Sequence, residues 1–566
     1  MTKTANIPFL VGVTGHRDLH PDEWPVLEAR LGTLLDTLQS AAPTAGLRLL
    51  SSLAEGADTL VARVAIARGL PLTAILPLPV EDYREDFVED AARAEFDRLL
   101  AAADEVVVAP AIRDDTGRVV PSRELAYVAA GEILAAASRL LITLWDGLDS
   151  AKLGGTAHVV DLRRHPERNG FDKAHEIAGL LGGGDEPIFH LVCSRTRSPR
   201  LAPGLAPLQE RWIVGDAVLN QPATRLPDSV RSALEHLEDF ALDRRRHAAR
   251  IEASEAGDLP AADSADPAGA AIRDDFHAAD VLGRFYKRQL RRALVTLYVL
   301  AVTTGVLFML YGNFGLRWPI YVVLGVFGTA WYAHRLGAQG AWHRRFLHYR
   351  LLAETLRVRY FWHRVGIHRF GAATPHEGFS YELAGGLSWI RNSSSHATLR
   401  SLAHPAPDPE AGAALAARHW IGTDGRSGQL QYFEYAWGAH HAFDKRTSRI
   451  ATAGIAGGLV CALALASAGP LGIPAQVQLW VLSFMGLLPL IAGVREAYAS
   501  KQADKEMIKQ FAYMRVIFER AGRRLSVAES LDDKRRVLRE LGGISLSETA
   551  EWLLVQTERT LDKPKI

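Results

Sequence analysis

The sequence predicts an α/β, Rossmann-like head with a parallel sheet, joined to an all-α membrane region of four transmembrane helices in two hairpins. Two observations predict this combination. Short apolar strands alternate with amphipathic helical stretches through residues 1–196, the pattern of a parallel sheet covered by helices. The second half contains two pairs of long apolar stretches, and no Asp, Glu, Lys or Arg falls between Ile450 and Val494.

Six strands and three principal helices are expected in the head. The strands are predicted at Phe9–Val13, Leu47–Ser51, Leu72–Leu78, Glu105–Ala109, Leu140–Trp145 and Ile188–Cys193, and the helices at Trp24–Leu38, Thr59–Arg68 and Arg123–Ala137. The following region is looser, with one predicted helix at Asp228–Ala253. The stretch Pro260–Ala271 is rich in Ala, Pro and Asp, which is typical of a flexible tether.

Four apolar stretches have the length of membrane spans. They are Ala293–Tyr311, Trp318–Ala333, Ile450–Ala468 and a segment ending at Val494. At a rise of about 1.5 Å per residue, helices of 16 to 19 residues reach roughly 24 to 29 Å, close to the ~30 Å hydrocarbon core of a bilayer. The alternative is a soluble protein with buried core hairpins, but core helices seldom run this far without a charge.

Basic residues flank both hairpins and are almost absent from the turns within them. Lys287, Arg288, Arg291, Arg292, Arg335, Arg344 and Arg345 flank the first, Lys445, Arg446, Arg449, Arg495, Lys501 and Lys505 flank the second, and only Arg317 lies in a turn. Because such residues mark the cytoplasmic side of short spans, we expect a multi-pass protein of the inner (cytoplasmic) membrane. The head and both termini are then cytoplasmic, and the first residues do not resemble a cleaved signal peptide.

The membrane region is expected to contain an internal duplication. Aromatic and basic helices at Phe276–Arg292 and Trp420–Arg449 lead into the hairpins, and those at Trp342–Val365 and Lys501–Leu525 leave them. Four domains follow from this reading. They are the head at 1–196, a helical linker with the tether at 197–275, a first two-helix transmembrane unit at 276–400, and a second unit with a cytoplasmic helical tail at 401–566.

The charge balance of the head argues against nucleic acid as a partner. Residues 1–196 carry 19 basic and 29 acidic side chains, although the whole chain has a net charge of +1. Phosphate attraction needs clustered cations, so an acidic head disfavours a membrane-tethered binder of single-stranded DNA. The two cysteines, Cys193 and Cys461, are too few and too far apart for a disulfide framework or a zinc site.

Three glycine-containing turns, each just after a predicted strand, form the candidate site. The first contributes Gly12, Thr14, Gly15, His16 and Arg17, the second Ser52, Glu55, Gly56, Ala57 and Asp58, and the third Asp146, Gly154, Gly155 and Thr156. Glycine lets backbone N–H groups approach an anion, a helix start adds a favourable dipole, and ligands of open parallel sheets bind where such turns meet. The structural alternatives are tight-turn glycines, an exposed histidine and solvated or helix-terminal aspartates.

The residues of the second and third turns resemble the SLOG superfamily, which includes the LOG nucleotide hydrolases and the DNA-processing protein A family. "SSLAEGADTLVA" looks like the Gly-Leu-Ala-x-Gly-Ile-Asp turn of the latter. "GGT" at Gly154–Thr156 looks like part of the Pro-Gly-Gly-x-Gly-Thr-x-x-Glu loop of the former. This resemblance covers residues 5–196 and implies a Rossmann-like fold that binds a nucleotide-derived ligand.

One departure from the LOG loop bears on catalysis. Aligning Gly155 and Thr156 with its Gly-Thr puts Val159 where the hydrolases have their catalytic glutamate, and the leading proline is also missing. Without that carboxylate no group is positioned to stabilise the developing ribosyl cation. The resemblance therefore implies a site that binds a nucleotide rather than one that cleaves it, with no catalytic residue, metal or cofactor expected.

Residues 276–525 resemble the SLATT domain, a two-helix membrane effector attached to SLOG modules in bacterial defence systems. The segments that carry this resemblance are "FHAADVLGRFYKRQLRRAL", "HYRLLAETLRVRYFW" and "HWIGTDGRSGQLQYFEYAWGAHHAFDKR". The combination implies an effector of a bacterial anti-phage (CBASS-like) system. In such a system an infection-triggered nucleotide second messenger would open or disrupt the membrane.

The spans themselves constrain the mechanism. No Asp, Glu, Lys or Arg lies within any of them, which disfavours a transporter with a charged site. The glycines Gly325, Gly328, Gly454, Gly457 and Gly458 are expected to let helices of different protomers pack closely in a homo-oligomer. The competing interpretation is a membrane-anchored nucleotide hydrolase that uses Glu55, Asp58 or Asp146 instead of the LOG glutamate.

Overall fold

The computed structural model describes residues 6–111, 120, 122–150, 152–165, 186–254, 259–261, 265–368, 380–501 and 504–557. The chain divides into two compact units, and each is built from separate segments. The sheet unit comprises Met1–Ala278, Leu352–Ala413 and Ser530–Ser547. The helical unit comprises Ala279–Leu351, Ala414–Glu529 and Glu548–Ile566.

An eight-stranded, mostly parallel sheet organises the sheet unit. Its strands are β1 (Phe9–Gly15), β2 (Leu47–Ser51), β3 (Leu72–Leu76), β4 (Glu105–Val108), β5 (Leu140–Trp145), β6 (Ile188–Val192), β7 (Glu210–Val214) and β8 (Ala217–Leu219). The order is β4-β3-β2-β1-β5-β6-β7-β8, with β1 to β6 parallel and β7 and β8 antiparallel. The α/β parallel head predicted from the sequence is confirmed, including all six predicted strands.

One or two helices follow each of the first five strands in the chain. They are α1 (Trp24–Ala41), α2 (Ala57–Ala67), α3 (Val80–Arg84), α4 (Asp90–Ala101), α5 (Arg123–Ala137) and α6 (Thr156–Arg164). On one face of the sheet Leu10, Leu50 and Leu141 form one apolar cluster with residues of α5 and α6. A parallel strand that is covered by helices on both faces of the sheet needs apolar side chains on both faces. Its sequence is therefore a near-continuous apolar run.

The remaining chain is mostly helical. The helices are α7 (Asp228–Arg246), α8 (Ala248–Glu252), α9 (Pro267–Phe314), α10 (Pro319–Gln339), α11 (Trp342–Val365), α12 (Ser380–Ala403), α13 (Pro409–Leu415), α14 (Gln429–Ala466), α15 (Ala475–Lys501), α16 (Asp504–Ser526) and α17 (Leu531–Thr557), with a π-helical turn at Ala416–Ile421. The helix predicted at Trp342–Val365 has the same bounds in the structure.

Helix α12 belongs to the sheet unit although it begins 161 positions beyond the end of the last strand. Its Asn392 side chain donates Nδ2–H to the Pro8 carbonyl (2.8 Å) and accepts the Leu10 N–H at Oδ1 (2.9 Å). These backbone groups precede the point where β5 begins to pair with β1 at Val11, so the amide supplies hydrogen bonds that the sheet lacks there. The unit boundary therefore differs from the predicted domain boundary at residue 400.

The region predicted as a helical linker with a tether contains more structure than its composition indicates. Strands β7 and β8 extend the sheet from within it. Helix α9 begins at Pro267, inside the predicted tether, with Asp266 and Ala268 both buried. Short strands at a sheet edge and a capped helix start carry little apolar periodicity, which is the signal that sequence reading depends on.

Three long apolar helices of the described chain have the length and composition of membrane spans. These are α9, α14 and the part of α15 that covers Ala475–Ala499. Their most apolar stretches are only 6%, 11% and 11% buried, so they present apolar side chains outward, as lipid-facing helices do. The predicted span Trp318–Ala333 falls in α10, whose apolar part, Pro319–Tyr332, is shorter. The protein is membrane-associated through these helices.

The glycines of α14 serve packing within the hairpin. A Cβ atom on Gly454 would lie 2.8 Å from Ala492 Cβ, and one on Gly458 would lie 3.0 Å from Pro489 Cγ, both on α15. Small residues allow this close approach of two helix backbones. At Gly325 and Gly328 of α10, by contrast, a Cβ atom would meet nothing within 4 Å. The α14 glycines therefore allow close packing of α14 against α15 within the chain.

Candidate functional site

The three predicted turns follow strands that are neighbours in the sheet. Strand β1 lies between β2 and β5, and the strand order changes direction at β1. The carboxyl ends of these parallel strands therefore form one continuous edge. In open α/β sheets this topological switch point is where ligands bind.

The first and second turns touch through their backbones. Gly56 has φ +81°, and a Cβ atom there would lie 2.4 Å from the Arg17 carbonyl oxygen and 2.5 Å from that of His16. The Ala57 N–H donates to the His16 carbonyl (3.0 Å). Only glycine fits this approach, because any side chain would push the two turns apart.

The first and third turns meet through a histidine and an aspartate. His16 Nε2 lies 3.1 Å from both Oδ1 and the backbone nitrogen of Asp146. Burial lowers the pKa of His16 more than the Asp146 carboxylate raises it, so the ring is neutral near pH 7. A neutral ring can accept the Asp146 N–H at Nε2, and a protonated ring would instead donate to Oδ1. Asp146 is itself 2% exposed and accepts the Leu148 N–H (2.9 Å).

The glycines of the third turn approach the same place from the other side. Gly154 has φ +70°, and a Cβ atom there would lie 2.7 Å from Tyr127 Cβ on α5. The Tyr127 hydroxyl accepts a hydrogen bond from Arg17 Nη2 (3.4 Å), and the Arg17 guanidinium lies 5.7 Å from the ring centroid. The three turns thus converge on Arg17. We call the group His16, Arg17, Gly56, Asp58, Tyr127 and Asp146 the edge site.

Arg17 is bound by a tyrosine, whereas the other arginines around the edge site pair with aspartates. Arg195 Nε donates to Asp18 Oδ1 (2.9 Å), and Arg123 pairs with Asp86. Within the described residues Arg17 has no carboxylate partner, only the Tyr127 hydroxyl and ring. Its side chain is exposed, so it remains available to an anionic ligand.

Asp58, in the first turn of α2, is a buried carboxyl of the edge site. Its side chain is almost fully buried, and burial raises its pKa to about 7, against opposing contributions from the Ala54 backbone, Arg17 and the Ser52 backbone. The folded protein therefore holds a proton on Asp58 through much of the acidic range. This carboxyl can donate a hydrogen bond or ionise in response to a nearby charge.

Replacing Asp58 with asparagine is expected to change the pH dependence of stability. The folded-state pKa of about 7 exceeds the model-compound value of 3.8, so the stability that the protonated carboxyl contributes is complete below pH 3.8 and is lost as the pH rises to about 7. Asp58→Asn, which cannot ionise, should therefore raise the melting temperature more at pH 8 than at pH 5. Asp149→Asn, at an exposed aspartate, is the control. Equal shifts at both pH values would contradict the raised pKa.

The other predicted residues fall into two groups. At or beside the edge lie Thr14, Gly15, Ser52, Glu55, Ala57, Gly155 and Thr156, which end β1, form the turn after β2, or begin α2 and α6. Gly12 does not reach the edge. It pairs with Leu50 and Leu141 in mid-strand, and a Cβ atom there would lie 2.8 Å from Ser138 Cβ, so its role is packing.

Sequence reasoning missed three contributors to this region. Arg195 follows the strand β6, and the strand-end argument used for the other turns would have found it. Tyr127 and Asp86 carried no such signal. Tyr127 lies within the amphipathic helix α5, and Asp86 lies just after α3, yet their hydroxyl and carboxylate join the network that holds Arg17.

Val159, which the resemblance to the LOG loop aligns with the catalytic glutamate, is 3% exposed and belongs to the apolar cluster under α5 and α6. A Cβ atom on Gly131 of α5 would lie 2.9 Å from its Cγ2 atom. This position is therefore part of the core of the sheet unit. No family model and no curated protein matches this chain.

Proposed function

We propose that the chain is a membrane effector of a bacterial anti-phage (CBASS-like) system, in which the edge site binds a nucleotide-derived second messenger. The apolar helices act as four spans in two hairpins of a homo-oligomer in the inner membrane, with the head and both termini in the cytoplasm. Ligand binding then forms a pore or disrupts the bilayer. The observation that carries this proposal is the convergence of three turns on Arg17, a cation with no carboxylate partner in the part of the chain that the structure describes.

The chemistry of the edge site favours an anionic ligand with hydrogen-bonding groups. Arg17 supplies a guanidinium fork for a phosphate, and the helices α2 and α6 begin at the edge with their positive dipole ends. The neutral His16 and the protonatable Asp58 add groups that can pair with ribose hydroxyls or a base. Ribose, base and phosphate together describe a nucleotide.

The environment of Val159 favours binding over cleavage. A glutamate that stabilises a ribosyl cation must face the ligand, whereas Val159 packs in the core. The apolar helices favour a response at the membrane over a soluble one. Their outward faces are apolar, and no Asp, Glu, Lys or Arg falls between Ile450 and Val494. Both features support an effector rather than a transporter or a hydrolase.

Substitution of Arg17 by alanine tests the proposal directly. The full chain is reconstituted in dye-loaded vesicles and exposed to mononucleotides, cyclic oligonucleotides and small-molecule extracts of infected cells. Loss of one charge-assisted hydrogen bond costs about 1.5–3 kcal/mol, so Arg17→Ala should raise the nucleotide concentration for half-maximal leakage by about 10- to 150-fold. Arg225→Ala, at an exposed arginine elsewhere on the sheet unit, is the matched control.

Two results would count against the proposal in different ways. An unchanged response of Arg17→Ala would show that the ligand binds elsewhere. If the full chain binds a nucleotide but no dye leaks from the vesicles, the proposed binding site stands and the proposed effector role is wrong. The full chain is required because the sheet unit includes segments beyond residue 351.

A membrane-anchored nucleotide hydrolase is the second candidate, and the pairing of His16 with Asp146 favours it. A histidine oriented by a carboxylate can serve as a general base. The two functions differ in their products. If the full chain releases free base from nucleotides, and His16→Gln abolishes the release, the site is hydrolytic; intact nucleotide after prolonged incubation favours the effector.

A further inference from the structure

A basic cleft lies on α9 where the most apolar part of this helix begins. It has a volume of about 400 Å³ and is lined by Arg288, Arg291, Arg292, Val295 and Thr296. Because these residues are three and four positions apart, they share one side of the helix. The cleft therefore has three guanidinium groups at one end and an apolar surface at the other.

Among the residues that the structure describes, the three arginines lack a carboxylate partner of the kind that Arg284 has on the same helix. Arg284, one turn earlier, pairs with Asp280 at 2.8 Å. Arg288 donates Nε–H to the Arg284 carbonyl (3.2 Å), and no ion pair with a carboxylate is found for Arg288, Arg291 or Arg292 in the described part of the chain. All three are exposed. Three like charges this close repel one another, so an anion between them would lower their free energy.

The position of the cleft identifies the kind of anion. From Val295 onward α9 is apolar and faces outward, with only 6% of its most apolar stretch buried. In a membrane, the residues just before such a stretch lie at the level of the phospholipid headgroups. Arginine forks match the geometry of phosphate oxygens, and the adjacent apolar surface suits an acyl chain.

We propose that this cleft binds the headgroup phosphate of an anionic phospholipid, with an acyl chain along the helix surface beyond Val295. The lipid neutralises Arg288, Arg291 and Arg292 together. A free phosphate ion could also bind the three guanidinium groups, but it would leave the apolar surface at Val295 uncovered. The site is separate from the edge site and does not depend on what the edge site binds.

Lipid binding to the purified full chain in detergent tests the proposal. The probes are phosphatidylglycerol and phosphatidylcholine, titrated separately and followed by native mass spectrometry. Each cation near a lipid surface contributes about a fivefold gain in affinity for anionic lipid. The wild-type chain should therefore prefer phosphatidylglycerol, and the triple variant R288Q/R291Q/R292Q should lose about 100-fold of that preference.

Further variants and a competition with free phosphate test which property of the arginines matters and whether the ligand is a lipid. R288K/R291K/R292K keeps the charge and should retain most of the preference, and R225Q, at an exposed arginine of the sheet unit, should leave it unchanged. If the triple variant does not fold, the single variant R291Q should still lose about fivefold. Equal binding of both lipids by the wild-type chain, or displacement of phosphatidylglycerol by millimolar inorganic phosphate, would overturn the proposal.

Discussion

Replacement of Gly56 by alanine should destabilise the sheet unit by about 2–5 kcal/mol and abolish the proposed ligand binding at the edge site. A left-handed backbone costs a non-glycine residue roughly 1–2 kcal/mol. At Gly56 the added Cβ atom would also meet two backbone carbonyl oxygens at 2.4 and 2.5 Å, and backbone cannot move aside as a flexible side chain can. Overpacking of this kind costs about 1–3 kcal/mol more.

Gly46 provides a control with nearly the same φ angle. It has φ +78°, and an added Cβ atom would meet nothing within 4 Å. Gly46→Ala should therefore cost only the roughly 1–2 kcal/mol of the left-handed conformation. Thermal unfolding of the full chain, followed by tryptophan fluorescence, gives both values. If the two variants were equally destabilised, the contact between the first two turns would not be the cause.

Asp266→Ala is expected to destabilise the sheet unit by about 3–5 kcal/mol, because it removes one partner of a buried charge cluster. Asp266 Oδ1 lies 2.7 Å from His363 Nε2, and Oδ2 accepts from Arg364 Nη1 (2.6 Å). Oδ1 also accepts the Gly269 N–H (2.8 Å), which caps the start of α9. The side chains of Asp266 and His363 are fully buried, so the alanine variant leaves the Arg364 charge without its partner.

The matched control is Asp532→Ala in the same unit. Asp532 pairs with Arg535 at 3.0 Å but is 84% exposed, so its loss should cost less than about 1 kcal/mol. Burial alone would raise the pKa of Asp266, but the Gly269 N–H, His363 and Arg364 hold the pKa below 3.8. Its stabilising effect is therefore present above pH 3.8 and lost as the pH falls through the lower folded-state pKa. A difference between wild type and Asp266→Ala that grew in acid would contradict this account.

The central strands could be predicted because their signal is local. Strands such as β2 and β5 are short apolar runs ended by polar or glycine residues, and their predicted bounds match the structure. The antiparallel β7 and β8 could not be found in this way. Their burial is uneven, with β8 exposed throughout. The pairing of β7 with β6 and of β8 with β7 defines these strands, rather than apolar periodicity.

The edge site was predictable in its backbone but not in its side-chain partners. Glycines after strands identified the turns at Gly56 and Gly154 because positive φ angles need them. The contact of Arg17 with Tyr127 depends on how α5 packs beside the sheet, which no local pattern encodes. The same holds for Asn392, whose amide completes β1 from more than 380 positions away.

The discontinuous make-up of the sheet unit has a consequence for biosynthesis. Its strands leave the ribosome first, but Asn392 follows only after the apolar helix α9 has been translated, and the segment Ser530–Ser547 follows only after α14 as well. A nascent chain that stops at residue 278 therefore lacks the Asn392 amide, which hydrogen-bonds the Pro8 carbonyl and the Leu10 N–H at the start of β1. Folding of the sheet unit therefore cannot be completed until α9 and α14 have left the ribosome, so the apolar helices are synthesised before the sheet unit has all of its parts.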